Sequence, residues 1–290
     1  MNDHIEEHVT ARFEVTKLLG KGAYGYVWKV RDKKDSKIYA LKKIYDAFYN
    51  EVDAQRTYRE VMYLRELKDH KNIIRLEEVI PAINNKDLYL VFECMDADLH
   101  TVVKMDILSE VHKKYILFQI LRALKFVHSA GLVHRDLKPS NALIDSDCLI
   151  KMADFGLARS VRARNGTDPV VSEYVATRWY RAPEILLGSR SYSYAVDVWS
   201  TGCILAEMFL GKVLFPGKGT LDQMELLMQL LDRPTPEDIE DFGSEHARSV
   251  VANLGAKKCK SFTLMFSGYL IKLFSSFFSY YVIGFYDLNS

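Results

Sequence analysis

Residues 134–141 read His-Arg-Asp-Leu-Lys-Pro-Ser-Asn, the most informative stretch of the chain. Asp136 supplies a carboxylate that can orient a hydroxyl group and accept its proton. Lys138 can neutralise negative charge on a phosphoryl group while that group is transferred. Asn141 offers an oxygen ligand to Mg²⁺, a hard cation that prefers oxygen. Because every fixed position of the pattern H-R-D-L-x-x-x-N is filled, a basic turn assembled by chance is a poor explanation.

Two further motifs follow along the chain. Asp154-Phe155-Gly156 provides a second carboxylate, which would chelate magnesium bridging the β- and γ-phosphates of a nucleotide. Ala182-Pro183-Glu184 then closes a segment that contains several hydroxyl side chains. Asp197 begins the stretch D-V-W-S-x-G and would hold the backbone of the 134–141 loop from below. It could also serve as the N-cap of a helix.

A glycine-rich turn stands near the start of the chain, between two apparent strands. It has the pattern G-x-G-x-x-G-x-V, which lets the backbone approach phosphates closely. A dinucleotide-binding fold would need a helix after these glycines, whereas a strand follows here. The candidate nucleotide-binding residues of this turn are Gly20, Lys21, Gly22, Ala23, Tyr24, Gly25 and Val27.

The next strand ends in Tyr39-Ala40-Leu41-Lys42, similar to the V-A-I-K strand that directs a lysine toward α- and β-phosphates. Such a lysine needs a carboxylate partner, and Glu60 on the following predicted helix can supply it. Lys43, the next residue, is interpreted as a solvated surface lysine.

Alternation of apolar and polar residues predicts five strands and one helix in the first third of the chain, and mainly helices after about Asp98. The fold class is therefore α+β: a small five-stranded antiparallel lobe carrying one helix, then a larger and mainly helical lobe. The predicted domains are residues 1–95, which include a short extension over 1–12, then residues 96–266, and a tail over 267–290. The predicted strands are Phe13–Leu19, Tyr26–Arg31, Ile38–Ile44, Ile73–Ile80 and Leu88–Glu93, and the predicted helices are Gln55–Leu67, Val111–Ser129, Asp197–Leu210 and Leu221–Leu231.

Composition adds few constraints. The formal net charge of +1 gives no field that would steer the chain to nucleic acid or to a membrane surface. The four cysteines have neither metal-site spacing nor the density of a disulfide framework, so we expect reduced thiols. The first ten residues are polar and acidic, unlike a secretory signal. We therefore expect a cytoplasmic or nuclear protein.

Together these motifs resemble the eukaryotic protein kinases, and among them the mitogen-activated protein kinases. Residues 172–184, S-E-Y-V-A-T-R-W-Y-R-A-P-E, are similar to that family's T-x-Y-V-A-T-R-W-Y-R-A-P-E. Arg56-Thr57-Tyr58-Arg59-Glu60 resembles its R-T-x-R-E helix, and residues 95–100 resemble the exit from its hinge. Phe92 in the gatekeeper position and Ala153 before Asp154 are similar to the atypical branch of extracellular-signal-regulated kinases 7 and 8. The resemblance covers roughly residues 10–265.

The resemblance implies transfer of the γ-phosphoryl group of Mg-ATP to serine or threonine, with Ser/Thr-Pro sites in protein substrates. ATP and Mg²⁺ are the implied cofactors, and a monomer that binds neither nucleic acid nor membrane is expected. The resemblance also implies that Asp98 contacts the ribose of ATP. The further residues implied to line the nucleotide site are Ala40, Phe92, Glu93 and Met95.

Regulation is expected to depend on two residues of the 172–184 segment. Ser172 stands where the family has threonine, and it still carries a hydroxyl that can be phosphorylated. A phosphate adds about −1.5 to −2 charge and would order the segment by pairing with arginines. The donor could be an upstream kinase or the chain itself. The candidate partners are Arg59, Arg135 and Arg159 for phospho-Ser172, and Arg178 and Arg181 for phospho-Tyr174.

The end of the chain departs from the family after about Phe266, so the helical lobe is expected to be incomplete. Residues 261–286 are rich in Phe, Tyr, Leu and Ser, with Lys272 as the only charged residue before Asp287. Three interpretations remain open: a membrane-spanning helix, a substitute core helix, and a truncated or mis-spliced reading frame. A non-catalytic binding protein built on the same fold is the alternative function.

Overall fold

A computed structural model of the chain describes residues 5–22, 25–161, 178–189, 193–229, 231, 234–241 and 245–255. Contacts divide the chain into two compact units. The first unit comprises residues 1–99 and 140–158, and the second comprises residues 100–139 and 159–290. The domains predicted from the sequence are continuous stretches of chain. In the structure, residues 140–158 belong to the first unit, although they follow part of the second unit in the chain.

The described residues form the following strands and helices, each numbered in chain order. The strands are β1 Phe13–Gly22, β2 Gly25–Asp32, β3 Ile38–Ile44, β4 Leu76–Pro81, β5 Leu88–Glu93, β6 Ala97–Asp98, β7 Leu132–Val133, β8 Ala142–Ile144, β9 Ile150–Met152 and β10 Arg159–Ser160. The helices are α1 Glu7–Arg12, α2 Glu51–Glu66, α3 Leu99–Lys104, α4 Glu110–Ser129, α5 Pro183–Leu186, α6 Ala195–Leu210, α7 Thr220–Leu227, α8 Pro236–Asp241 and α9 Glu245–Ala252.

The first unit contains the predicted five-stranded antiparallel sheet, in the order β1-β2-β3-β5-β4. The predicted helix also exists, although it begins four residues earlier, because Asn50 caps it by accepting the Asp53 N–H at 2.8 Å. Glu60, Leu64 and Leu67 are buried along one face, as their spacing predicts. A second sheet of this unit has the order β6-β8-β9.

Helix α1 lies in the stretch over residues 1–12 that was predicted to be a short extension. Ile5, Val9 and Phe13 recur at the spacing of one helical face, and all three are buried in the core of the five-stranded sheet. Arg12, at the end of the helix, lies 2.8 Å from Asp32 and 2.7 Å from Glu78. Three apolar residues among charged ones gave too weak a signal to predict this packing.

The interpretation of Lys43 as a solvated residue is wrong. Its Nζ atom lies 3.0 Å from Oδ2 of Asp87, and both side chains are 7% exposed. Alternation along β3 places Lys43 on the face opposite Lys42, where Tyr45 and Tyr89 cover it. Burial alone would raise the pKa of Asp87, but hydrogen bonds from the Asp46 N–H, Asn84 and Lys43 hold that pKa below its ordinary value.

The second unit is mainly helical, as predicted. Ser109 is the N-cap of helix α4 and forms a capping box with His112, and the chain turns after the helix through Gly131 with φ of 76°. Helix α6 is buried along nearly its whole length, which makes it the centre of this unit. Helices α6 and α7 each begin earlier than predicted, by two residues and by one residue, and α7 ends at Leu227 rather than at Leu231.

Within the described residues, Cys94, Cys148 and Cys203 are not joined in disulfides, in line with the expected reduced thiols, whereas Cys259 lies outside those residues. The described part of the chain contains no helix long and apolar enough to cross a membrane. The tail over residues 267–290 also lies outside the described residues, so its three interpretations stay open.

The buried pair predicts a large cost for Asp87→Asn. That change leaves the Lys43 ammonium in the protein interior without its countercharge, so the free energy of unfolding should fall by about 3 kcal/mol. Urea unfolding followed by circular dichroism measures this change. The matched control is Asp35→Asn, because Asp35 lies 3.4 Å from Lys37 in an exposed pair. Little change is expected there. Equal effects of the two variants would contradict the assigned burial.

Candidate active site

The glycine-rich turn joins β1 to β2 and belongs wholly to the first unit. Gly25 has φ of 156°, and a Cβ atom there would lie 1.7 Å from the carbonyl oxygen of Lys43, so packing of the sheet requires glycine. A Cβ atom on Gly20 would meet nothing within 4 Å, and one on Gly22 would lie 4.0 Å from the Gly25 carbonyl oxygen. The first two glycines therefore leave open space in front of the backbone. Lys21 and Val27 lie in the same two strands, whereas Ala23 and Tyr24 lie outside the described residues.

Lys42 and Glu60, predicted to be partners, form an ion pair. The Nζ atom of Lys42 lies 2.6 Å from Oε1 of Glu60, whose side chain is 6% exposed. Strand β3 fixes Lys42 because it pairs with Val27 of β2 on one side and with Leu90 of β5 on the other. Burial alone would lower the pKa of Lys42, but the carboxylates of Glu60 and Asp154 hold it above its ordinary value. Lys42 therefore stays charged.

Asp154 and Asn141 are the candidate metal ligands, and both belong to the first unit. The backbone carbonyl of Asn141 accepts the N–H of Ala153 at 2.8 Å, which ties the two segments together beside Asp154. Asp154 has a left-handed backbone, with φ of 64° and ψ of 68°, a conformation that aspartate tolerates better than most residues. One carboxylate and one amide are the oxygen ligands that Mg²⁺ prefers, so these residues fit the ion.

A third segment, unnoticed in the sequence, fixes the strand before Asp154. The N–H of Met152 donates to the carbonyl of Asn72 at 2.9 Å, and the N–H of Ile74 donates to the carbonyl of Met152 at the same distance. The Asn72 side chain, fully buried, donates to the carbonyl of Ile150 at 2.8 Å. A single asparagine between two predicted elements carries no pattern that would reveal this role.

The residues implied to line the nucleotide base lie along β3, β5 and β6. Ala40 pairs with Phe92 across β3 and β5. Oε1 of Glu93 accepts the N–H of Arg75 at 2.7 Å and lies 2.9 Å from Nζ of Lys151. Met95 follows β5, and Asp98 ends β6. Their contacts with a nucleotide stay predictions.

In the second unit, Asp197 holds the backbone of the 134–141 loop, which confirms its predicted role. It is fully buried and accepts the N–H of Arg135 on Oδ1 and the N–H of His134 on Oδ2, both at 2.8 Å. The ring Nε2 atom of His128 lies 2.8 Å from the same Oδ2 atom. Asp197 does not cap its helix, because the N-cap of α6 is Tyr194.

The loop so held presents Asp136 and Lys138. Nζ of Lys138 lies 2.7 Å from Oδ2 of Asp136, and the two side chains are 16% and 4% exposed. Arg135, between the anchored residues, has φ of 70°, so the loop is bent into a conformation that is uncommon for arginine. The two backbone hydrogen bonds that Asp197 accepts stabilise this bend, and the Asp136 carboxylate is held by its contact with Lys138.

The predicted phosphate-binding arginines are distributed over both units. In the first unit, Arg59 donates to Gln55 at 3.0 Å. In the second, β10 places Arg159 opposite Val133, and Arg178 donates to the carbonyl of Lys218 at 3.3 Å. Arg135 is buried. Ser172 and Tyr174 lie outside the described residues, so the pairing with phosphates is not tested.

Arg181 stands apart from these arginines. Burial lowers its pKa below the ordinary value, opposed by the nearby carboxylate of Asp136. Its NH2 nitrogen is buried and has no hydrogen-bond partner among the residues that the structure describes. A desolvated guanidinium of this kind favours an added anion.

Comparison with known proteins identifies the family to which these motifs belong. The family model described as protein kinase domain matches residues 13–265. The chain is 54% identical to mitogen-activated protein kinase 15 of Xenopus laevis over 256 residues, which cover 87% of this chain and 44% of that protein. It is 52% identical to extracellular signal-regulated kinase 2 of Dictyostelium discoideum over 268 residues, 91% of this chain and 73% of that protein.

Extracellular signal-regulated kinase 7 of Drosophila melanogaster is 50% identical over 245 residues, 82% of this chain and 27% of that protein. The chain thus spans about half the length of most of these curated relatives, for example 44%, 58% and 47% of three proteins named mitogen-activated protein kinase 15. The matched region includes all the motifs from the glycine-rich turn to Asp197. The chain belongs to the protein kinase family and, within it, to the mitogen-activated protein kinases, on the branch similar to extracellular-signal-regulated kinases 7 and 8.

Proposed function

We propose that this chain transfers the γ-phosphoryl group of Mg-ATP to serine and threonine hydroxyls of proteins. The observation that carries the proposal is the 2.6 Å ion pair between Lys42 and Glu60, close enough to Asp154 for that carboxylate to raise the pKa of Lys42. A charged lysine held beside a metal-ligating carboxylate suits the binding of a nucleotide triphosphate. A purely structural ion pair would need no such neighbour.

The first unit would hold the nucleotide. The open space at Gly20 and Gly22 allows phosphates to approach the backbone N–H groups. Lys42 would bind the α- and β-phosphates, while Asn141 and Asp154 would hold Mg²⁺ through their side-chain oxygens. When bound, Mg²⁺ neutralises charge on the phosphates and makes the terminal phosphorus easier to attack.

The second unit would act on the protein substrate. Asp136 would orient the hydroxyl of serine or threonine and accept its proton, and Lys138 would neutralise charge on the transferred group. Because Asp197 fixes the loop backbone, Asp136 is positioned before the substrate binds. Most of the rate enhancement would then come from positioning and charge stabilisation.

The family resemblance extends the proposal to substrates and partners. We infer a preference for serine or threonine followed by proline, a monomeric state, and action in the cytoplasm or nucleus. The relatives' names support a role as a mitogen-activated protein kinase. Activation would come from an upstream kinase or from autophosphorylation.

The proposed activity predicts the behaviour of Asp154→Asn. Loss of one negative charge from the metal site should lower phosphate transfer from radiolabelled ATP to a generic basic protein by about 10²-fold or more. The matched control is Asp147→Asn, since Asp147 lies in an exposed turn six positions after Asn141, and it should keep wild-type activity. If folded wild-type protein binds Mg-ATP yet transfers no phosphate, the non-catalytic binding protein is the better account.

Phosphorylation of Ser172 and Tyr174 is the proposed means of regulation. Support comes from Arg181, whose buried guanidinium has a lowered pKa and a nitrogen without a partner among the described residues. A phosphate on Tyr174 would supply an acceptor for this nitrogen and a further negative charge in a desolvated place, where charge-assisted hydrogen bonds are strong. A phosphate on Ser172 would pair with Arg59, Arg135 and Arg159, and so order the segment and set helix α2.

Tyr174→Phe tests this regulation because it removes the phosphate acceptor but keeps the ring. We expect activity to fall by about tenfold or more relative to wild-type protein whose Tyr174 is shown by mass spectrometry to be phosphorylated. Tyr58→Phe serves as the control, since Tyr58 is 65% exposed on helix α2. Full activity of Tyr174→Phe beside phosphorylated wild type would refute the proposed switch.

A further inference from the structure

Arg56 lies beside the carboxylate that is proposed to hold the metal. It stands one helical turn before Glu60 on α2, and its NH2 nitrogen is 3.9 Å from Oδ1 of Asp154. The two side chains are 22% and 28% exposed, so the pair is partly shielded from solvent. In the sequence, Arg56 is notable only as the first residue of the R-T-x-R-E resemblance.

Gly156 gives independent evidence for the position of this arginine. A Cβ atom at residue 156 would lie 2.9 Å from Nε and 3.0 Å from Cγ of Arg56. These atoms belong to the middle of the side chain and not to a freely moving tip. The Arg56 side chain therefore lies directly over Gly156, in a space that exists only because residue 156 has no side chain.

Several charged side chains lie close to Asp154. Nζ of Lys42 lies 2.6 Å from Oε1 of Glu60, and the NH2 nitrogen of Arg56 lies 3.9 Å from Oδ1 of Asp154. Asp154 raises the pKa of Lys42 and Arg56 lowers it, so both groups are close enough to act on Lys42. Asp154 thus has Lys42 and Arg56 as cationic neighbours.

We propose that Arg56 competes with the divalent cation for the Asp154 carboxylate and thereby sets the metal concentration at which the nucleotide site fills. The proposal rests on the proposed function. A metal ion and a guanidinium both bind carboxylate oxygens, so binding of Mg²⁺ to Asp154 would weaken or displace the Arg56 contact. Repulsion between the guanidinium and the metal acts in the same direction.

The size of the effect follows from partial exposure. A pair 3.9 Å apart at this depth is screened by solvent and is weaker than a fully buried pair. Removing the Arg56 charge should therefore lower the half-saturating Mg²⁺ concentration by roughly three- to tenfold.

The test uses the full chain and a fluorescent nucleotide, N-methylanthraniloyl-ATP, at fixed concentration while Mg²⁺ is titrated. Arg56→Gln should reach half-maximal binding at the lower Mg²⁺ concentration stated above. Arg56→Lys keeps a positive charge at this place and should stay close to wild type. The matched control is Arg65→Gln, which removes the same charge from an exposed position on the same helix and should also match wild type.

Other results would overturn the proposal. An unchanged or higher Mg²⁺ requirement in folded Arg56→Gln would mean that Arg56 does not compete with the metal. The same decrease in Arg65→Gln would assign the effect to general charge and not to the Asp154 contact. Folded wild-type protein that binds the nucleotide at no Mg²⁺ concentration would remove the proposed function, and the competition with it. Melting curves recorded by circular dichroism confirm that each variant is folded.

Discussion

The proposed nucleotide site of the first unit depends on one ion pair, Lys42 with Glu60. An isolated ammonium in this place would lose its solvation and be driven toward the neutral form. Glu60 prevents this at 2.6 Å, and Asp154 acts in the same direction. Because the two partners come from β3 and α2, the pair also fixes that helix against that strand. Lys42, Glu60 and Asp154 thus form one group of interacting charges within the first unit.

In the second unit, the carboxylate of Asp197 stabilises a strained loop backbone. The 134–141 loop contains a residue with positive φ, Arg135, and such a backbone persists only where its surroundings impose it. Asp197 imposes it through two backbone hydrogen bonds from inside helix α6, and His128 contacts the same carboxylate. Buried carboxylates thus organise both units, but one binds a side chain and the other binds a backbone.

The sequence predicted those features that depend on local chemistry. Lys42 with Glu60, and Asp197 with the 134–141 loop, follow from motifs whose residue types leave few alternatives. Lys43 was predicted wrongly because strand alternation gives the face but not what covers it, and here Tyr45, Tyr89 and Asp87 do so. Helix α1, Asn72 and the position of Arg56 over Gly156 depend on distant parts of the chain, which no local pattern reveals.

Calorimetric titration of ATP tests the central ion pair most directly, in Mg²⁺ and again in EDTA, with wild type, Glu60→Gln and Glu66→Gln. Glu66 is exposed at the end of the same helix and provides the matched change. The account predicts one nucleotide per wild-type chain, weaker binding without metal, about tenfold weaker binding by Glu60→Gln in Mg²⁺, and no change in Glu66→Gln. Wild-type affinity in folded Glu60→Gln would contradict it.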